Sequence, residues 1–142
     1  MFSQNAKESD MTDTEEIENS NSPSETVINF FKLFNEADEY SLNVMFDTPC
    51  VFIIGHKVRL FEKYSDAVDF EVIRKTGWEK STINSLEPLY EDAVTSMVRF
   101  NFSRLDGSDC EISITDATHL LVKKGNEWKI KAVFIHGNLE LQ

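Results

Sequence analysis

The sequence predicts an α+β domain in which helices precede a meander of long antiparallel strands. The last third holds alternating segments and closes with Trp128-Lys129-Ile130-Lys131-Ala132-Val133-Phe134. Arg104-Leu105-Asp106-Gly107-Ser108 and Lys124-Gly125-Asn126-Glu127 each set a Gly beside Asp or Asn between strand-like runs, the mark of a short hairpin whose turn needs positive φ. Ahead of them, apolar residues recur at helical spacing. The 142 residues suit about one domain.

In chain order, folding is expected to begin at Ser22-Pro23-Ser24-Glu25, where Ser22 and Glu25 have capping-box spacing and Pro23 suits a first helical position. Val27, Phe30, Phe31 and Phe34 then fall on one helical face. Tyr40, Leu42 and Met45 suggest a second helix from about Glu39 to Phe46, with Pro49 marking its end. Cys50-Val51-Phe52-Ile53-Ile54 reads as a strand buried on both faces, Gly55-His56 as a turn, and Lys57 to Leu60 as a short returning strand. Ser65-Asp66 is expected to cap a third helix running to Thr76, with Val68, Val72 and Ile73 inward and Gly77 as its stop. Strands follow at about Lys80 to Tyr90, Ala93 to Leu105, Asp109 to Lys123 and Glu127 to Ile135.

Turn length fixes register, and register decides which side chains face inward. With two-residue turns at Gly125-Asn126 and Asp106-Gly107, Leu121 stands opposite Ile130, His119 opposite Ala132, Ala117 opposite Phe134 and Phe100 opposite Ser113. One face then gathers Val94, Val98, Phe100, Phe102, Ala117, Leu121, Trp128, Ile130 and Phe134, with Ser96, Thr115 and His119 as polar members and His136 at its end. The other face holds Met97, Ile112, Ile114, Leu120, Val122, Val133 and Ile135 among Thr95, Arg99, Asn101, Asp116, Thr118, Lys129 and Lys131. That outer face is too apolar for water alone and predicts a homodimer.

On this element order and the Thr118 to Ile130 hairpin, the chain from about Ser24 to Ile135 resembles the nuclear transport factor 2-like (NTF2-like) superfamily, in its SnoaL-like branch. The resemblance implies a cystatin-like cone: a strongly curved, mostly antiparallel sheet wrapped around three N-terminal helices. Dimers through the outer sheet face are common in that family. Its members include isomerases, dehydratases, hydrolases and non-catalytic adaptors, so the fold names no reaction. Its ketosteroid isomerase branch uses a strand carboxylate and a helix-one tyrosine, whereas Val51 to Ile54 here contain no acid and the first helix presents Phe30, Phe31 and Phe34. Arg99, Asn101 and Asp116 partly echo the Asp, Arg, Asp set of the limonene epoxide hydrolase branch, with Asn101 where an acid is wanted. Turning them inward would expel Val94, Val98, Phe100 and Phe102, worth roughly 1.5–3 kcal/mol each when buried, so they are expected outside with Arg99 and Asp116 as a salt bridge.

The net charge of −11 argues against phosphate backbones and anionic membranes as partners. Residues 1–22 hold six acids against Lys7 and almost no large apolar side chain, a composition expected to stay disordered as an acidic tail on a domain spanning 23–142. Neither a leader pattern nor an apolar span of about 20 residues is visible, so a soluble, cytoplasmic protein is expected. Cys50 and Cys110 are too few for a disulfide framework or zinc site and read as reduced structural thiols. Neither a metal nor a cofactor motif is present, and the expectation is for none.

His119 is the candidate anchor or catalytic group, because a titratable side chain facing an apolar pocket is moved by small effects. Its structural alternative is a core imidazole satisfied by a hydroxyl or carbonyl. The pocket is expected to be lined by Phe30, Phe34, Phe52, Ser96, Val98, Phe100, Thr115, His119 and Phe134, with Tyr40, Tyr64, Trp78 and Tyr90 at its mouth. A Glu91-Asp92 turn would bring Glu87 inward, within reach of His119. Three functions follow: binding of a small hydrophobic molecule in the apolar cone, a cofactor-free isomerase or dehydratase with His119 as general base and Glu87 or Tyr40 in support, or a dimeric adaptor that docks a protein. A solid cone would favour the adaptor.

Overall fold

The computed structural model describes residues 22–142. Apart from Ser22, the acidic tail expected over 1–22 lies outside the described residues. Helix α1 (Pro23–Asn35) begins as its sequence dictates, with Ser22 Oγ accepting the Glu25 N–H at 3.1 Å and Pro23 in the first turn. It buries Val27, Phe30, Phe31 and Phe34. Helix α2 (Glu39–Met45) is capped by Asp38, whose carboxylate accepts the Ser41 N–H at 3.2 Å. Pro49 does not end it. The helix stops at Met45, and Pro49 lies inside strand β1 (Phe46–Ile54) after a cis peptide bond, where pairing is irregular between Phe46 and Val51. Cys50 and Phe52 are buried while Val51, Ile53 and Ile54 are half-buried, so β1 is enclosed on one face rather than two.

Gly55, at φ +61°, turns the chain into β2 (Lys57–Phe61). The expected third helix is split. A 3-10 turn at Tyr64–Asp66 precedes α3 (Phe70–Arg74), because Asp69, not Ser65 or Asp66, caps it by accepting the Glu71 N–H at 2.9 Å. Strands β3 (Lys80–Glu91), β4 (Thr95–Leu105), β5 (Glu111–Lys124) and β6 (Glu127–His136) complete a six-stranded sheet in the order β2-β1-β6-β5-β4-β3. Only β1 and β6 pair in parallel. The helices cover the concave face, as expected for a curved α+β cone.

Two register differences matter for the site. The Gly125-Asn126 turn pairs Lys124 with Glu127 and Leu121 with Ile130, as its two-residue length requires, but Leu120 then pairs with Ala132 and leaves Lys131 as an extra residue. A bulge reverses the in-and-out alternation beyond it. His119 therefore faces Val133 and Ala117 faces Ile135; Val133 and Ile135 are buried, and Phe134 turns to the outer face. Lys131 holds Asp47 of β1 at 3.2 Å, an ion pair located where β1 itself is irregular.

The loop joining β4 to β5 spans Asp106 to Cys110, because the Asp106 carboxylate accepts the Ser108 and Cys110 N–H groups and Asp109 takes φ +63°. The loop is three residues longer than the two-residue turn, and a bulge at Ile112 adds a fourth, since Leu105 pairs with Glu111 but Arg104 with Ser113; Phe100 therefore pairs with Ala117 and Val98 with His119, four residues from the two-residue expectation. An even displacement leaves faces unchanged, so Val98, Phe100, Phe102, Ala117 and His119 remain inward. Val94 falls in the β3–β4 turn and is exposed.

The Phe30 ring, packed within 6.1 Å of the centroids of Phe31, Phe34, Phe46, Tyr64 and His119, sits at the centre of the core. Phe30→Ala is expected to cost about 3–5 kcal/mol in denaturant unfolding, against about 1 kcal/mol for Phe134→Ala on the outer face. Equal losses would contradict the bulged register.

Candidate functional site

The inner face of β4 and β5, the aromatic side of α1, Phe52 of β1 and Tyr64 enclose a cavity of about 30 Å³, room for about one water. Its wall is formed by Phe30, Phe31, Phe34, Phe52, Tyr64, Phe100, Phe102, Arg104, Ala117, His119, Val133, Ile135, Leu139 and Leu141, none of them acidic. Aromatic rings fill the space that a looser core would leave open.

His119 is 1% exposed and held edge-on between the rings of Phe30 (5.1 Å) and Phe100 (4.8 Å). Its Nδ1 is buried without a hydrogen-bond partner. Burial pushes its pKa down to about 3, so the ring is neutral near pH 7. A core imidazole satisfied by a hydroxyl or carbonyl would have that nitrogen paired.

Arg104, 3% exposed, and the Tyr64 hydroxyl are the other polar groups on this wall. Arg104 follows Val98, Phe100 and Phe102 at alternate positions of β4 and so points inward with them. Its Nη1 donates to the Glu140 carbonyl at 2.8 Å, while Nε is buried and unpartnered. Burial lowers its pKa to about 10, partly offset by Tyr64 and Glu140, and it remains a cation at neutral pH. Treating Leu105 to Ser108 as a tight turn hid Arg104; the alternation of positions 98, 100, 102 and 104 was the signal that could have found it.

The residues after β6 close the cone. Gly137, at φ +94°, lets the chain turn back over the mouth. Leu139 and Leu141 enter the cavity wall, and the Leu141 carbonyl accepts the Asp69 N–H at 2.7 Å. Gln142 is tied at both ends of its amide, accepting from Arg59 Nη1 at 2.8 Å and donating to the Asp66 carbonyl at 2.9 Å. Outside this strap lies a groove of about 510 Å³, which shares Phe52, Leu139 and Leu141 with the inner cavity and carries His56, Lys57 and Arg59 on its β1–β2 side. Sequence reasoning missed the strap, since two leucines alternating with three polar residues after a Gly are too short a pattern to be distinctive.

Of the pocket residues expected from sequence, Phe30, Phe34, Phe52, Phe100 and His119 line the cavity. Ser96, Val98 and Thr115 are buried away from it, Ser96 donating to the Tyr90 carbonyl at 2.9 Å. Phe134 lies on the outer face because of the bulge at Lys131. His136 is exposed, with Nε2 3.0 Å from Thr118 Oγ1. Tyr64 reaches the cavity; Tyr40 (79% exposed) and Tyr90 do not, and Trp78 is core, its indole donating to Ser81. Glu87 pairs with Arg99 across the outer face and is exposed, so it is not a partner of His119. Arg99 and Asp116 meet at 3.5 Å outside the cone, with Asn101 donating to Asp116 at 3.0 Å. Among the described residues, no helix is long and apolar enough to cross a membrane.

The fold is that of NTF2-like, cystatin-like proteins. The chain is similar to a protein of unknown function with a cystatin-like fold from Nostoc punctiforme (TM-score 0.66, 10% identity, 82% of this chain and 89% of that one). It is also similar to an NTF2-like protein from Novosphingobium aromaticivorans (0.62, 10%, 79% and 77%) and to the beta subunit of the benzoate 1,2-dioxygenase from Burkholderia mallei (0.59, 12%, 83% and 91%). At such identities the likeness concerns the fold alone. No family model matches the sequence, and no curated protein sequence does so either.

The buried imidazole predicts an acid-labile fold. The unfolded chain takes up a proton on His119 below its ordinary pKa of 6.5, whereas the folded chain resists protonation until about 3. This contribution is complete above pH 6.5 and falls as pH drops, by at most about 1.4 kcal/mol per pH unit. Urea unfolding between pH 7 and 4 should show that slope, and His119→Leu should flatten it. An unchanged slope would mean that His119 is not held neutral in the core.

Proposed function

We propose that this chain, a SnoaL-like member of its superfamily, binds a small, largely apolar molecule in the cone, which the ligand enters by displacing the strap at residues 139–142. The observation that carries the reading is the pair of unpartnered polar atoms, His119 Nδ1 and Arg104 Nε, on a wall that is apolar apart from them and the Tyr64 hydroxyl. Such groups cost about 1–3 kcal/mol each when left unsatisfied, and a ligand with matching atoms recovers that cost. The strap is short, and its leucines occupy the space that an apolar ligand would take. His119 then serves as a polar anchor.

Use of His119 as general base in an isomerase or dehydratase fits less well. With a pKa of about 3 it is a weak base at neutral pH, and neither Glu87 nor Tyr40 reaches it.

The near-filled interior favours a second reading, a homodimeric adaptor. Its surface is the outer sheet face, where Ile112 and Ile114 are exposed and Met97, Leu120, Val122 and Phe134 half-exposed beside Arg99 and Asp116. Both readings suit a reducing, cytoplasmic setting, given the free thiols Cys50 and Cys110.

Native mass spectrometry of the full chain separates them. A ligand-binding cone predicts a defined extra mass of one small molecule per subunit, on a dimer if the outer face self-associates. A bare protein that also fails to take up octan-1-ol, including as Leu141→Ala with its strap loosened, would leave the adaptor.

A further inference from the structure

A buried guanidinium ordinarily lies against a carboxylate, because its charge is costly to enclose alone. Arg104 has no carboxylate within ion-pair distance among the described residues, and the cavity wall around it contains no acid. The partner of Nη1 is a neutral carbonyl, contributed by the strap that we propose the ligand displaces, and Nε has no partner. Nε and a neighbouring Nη present the fork of parallel N–H donors that a planar carboxylate accepts. The groove outside the strap adds Lys57 and Arg59, so although the chain is acidic overall, the approach to the cavity carries cations beside the single acid Glu140.

We propose that the ligand of the cone is an aliphatic carboxylate. Its carboxylate takes the Nε edge of Arg104, beside the Nη1 that holds the Glu140 carbonyl, and supplies a counter-charge in direct contact, while its hydrocarbon takes the place of the Leu139 and Leu141 side chains. A chain of about eight carbons matches the hydrocarbon of those two leucines. This specification rests on the reading of the cone as a binding site. His119, neutral and facing the same space, can donate or accept only one further hydrogen bond, so Arg104 determines the charge class of the ligand.

Calorimetric titration of the full chain with octanoate and with octan-1-ol tests the assignment, because the two probes differ in charge and little in apolar bulk. Octanoate is expected to bind at least about tenfold more tightly, the margin of one charge-assisted contact. Arg104→Met, which keeps an unbranched apolar stem and removes the guanidinium, should bring the two affinities within about twofold; circular dichroism establishes that this variant folds. If octan-1-ol binds the wild-type chain as tightly as octanoate, the carboxylate assignment is wrong and the apolar cone stands. Should neither probe bind the wild type or Leu141→Ala, the cone-binding reading fails together with the assignment.

Discussion

The aromatic side of α1 inside the curved sheet is the constraint on which the rest of this structure depends. Phe30, Phe31 and Phe34 stand within two adjacent turns of one helix and reach Phe46, Phe70, Trp78, Phe100, Phe102 and His119 on the elements around it. Aromatic side chains bury large areas and pack edge to face, so one helix can fill a cone that long strands alone would leave hollow. The same packing desolvates His119 and keeps it neutral. A domain with a smaller stripe on α1 would have a wider cavity and a more basic imidazole.

Much of this was legible from sequence because it rests on local periodicity. Ser22, Pro23 and the phenylalanines of α1 mark a capped amphipathic helix, and Gly125-Asn126 marks a two-residue turn; both occur where those residues place them. The inward set on β4 survived a register difference of four residues, three from the longer loop and one from the bulge at Ile112, because the side-chain period of a strand is two. Lys131 shows the opposite case. One extra residue, held beside β1 by its ion pair with Asp47, exchanged Phe134 for Val133 and Ile135, and no local pattern announces a pairing made across the sheet. Asp69 as the cap of α3 and Pro49 inside β1 likewise depend on contacts between distant segments.

The site was legible in part for the same reason. His119 follows from strand alternation, whereas Arg104 was obscured by its closeness to a turn and the strap by its lack of periodicity. The strap makes few apolar contacts beyond Leu139 and Leu141 and is held by four hydrogen bonds to Asp69, Arg104, Arg59 and Asp66, two of them through the exposed Gln142. With only Leu141 in the buried core and Leu139 packed against it, the strap is expected at the low-stability end of the fold, opening without global unfolding. The core beneath it is a continuous aromatic cluster and does not share that freedom.

Native-state hydrogen exchange at the Asp69 amide measures this contrast between strap and core, because its N–H is covered by the Leu141 carbonyl of the strap. Asp69 is expected to exchange by a local opening, insensitive to low urea and clearly faster than the β4 and β5 amides that need global unfolding. Exchange of Asp69 at the global rate, with the same urea dependence as those strands, would show that the strap is an integral part of the core and that the cone does not open.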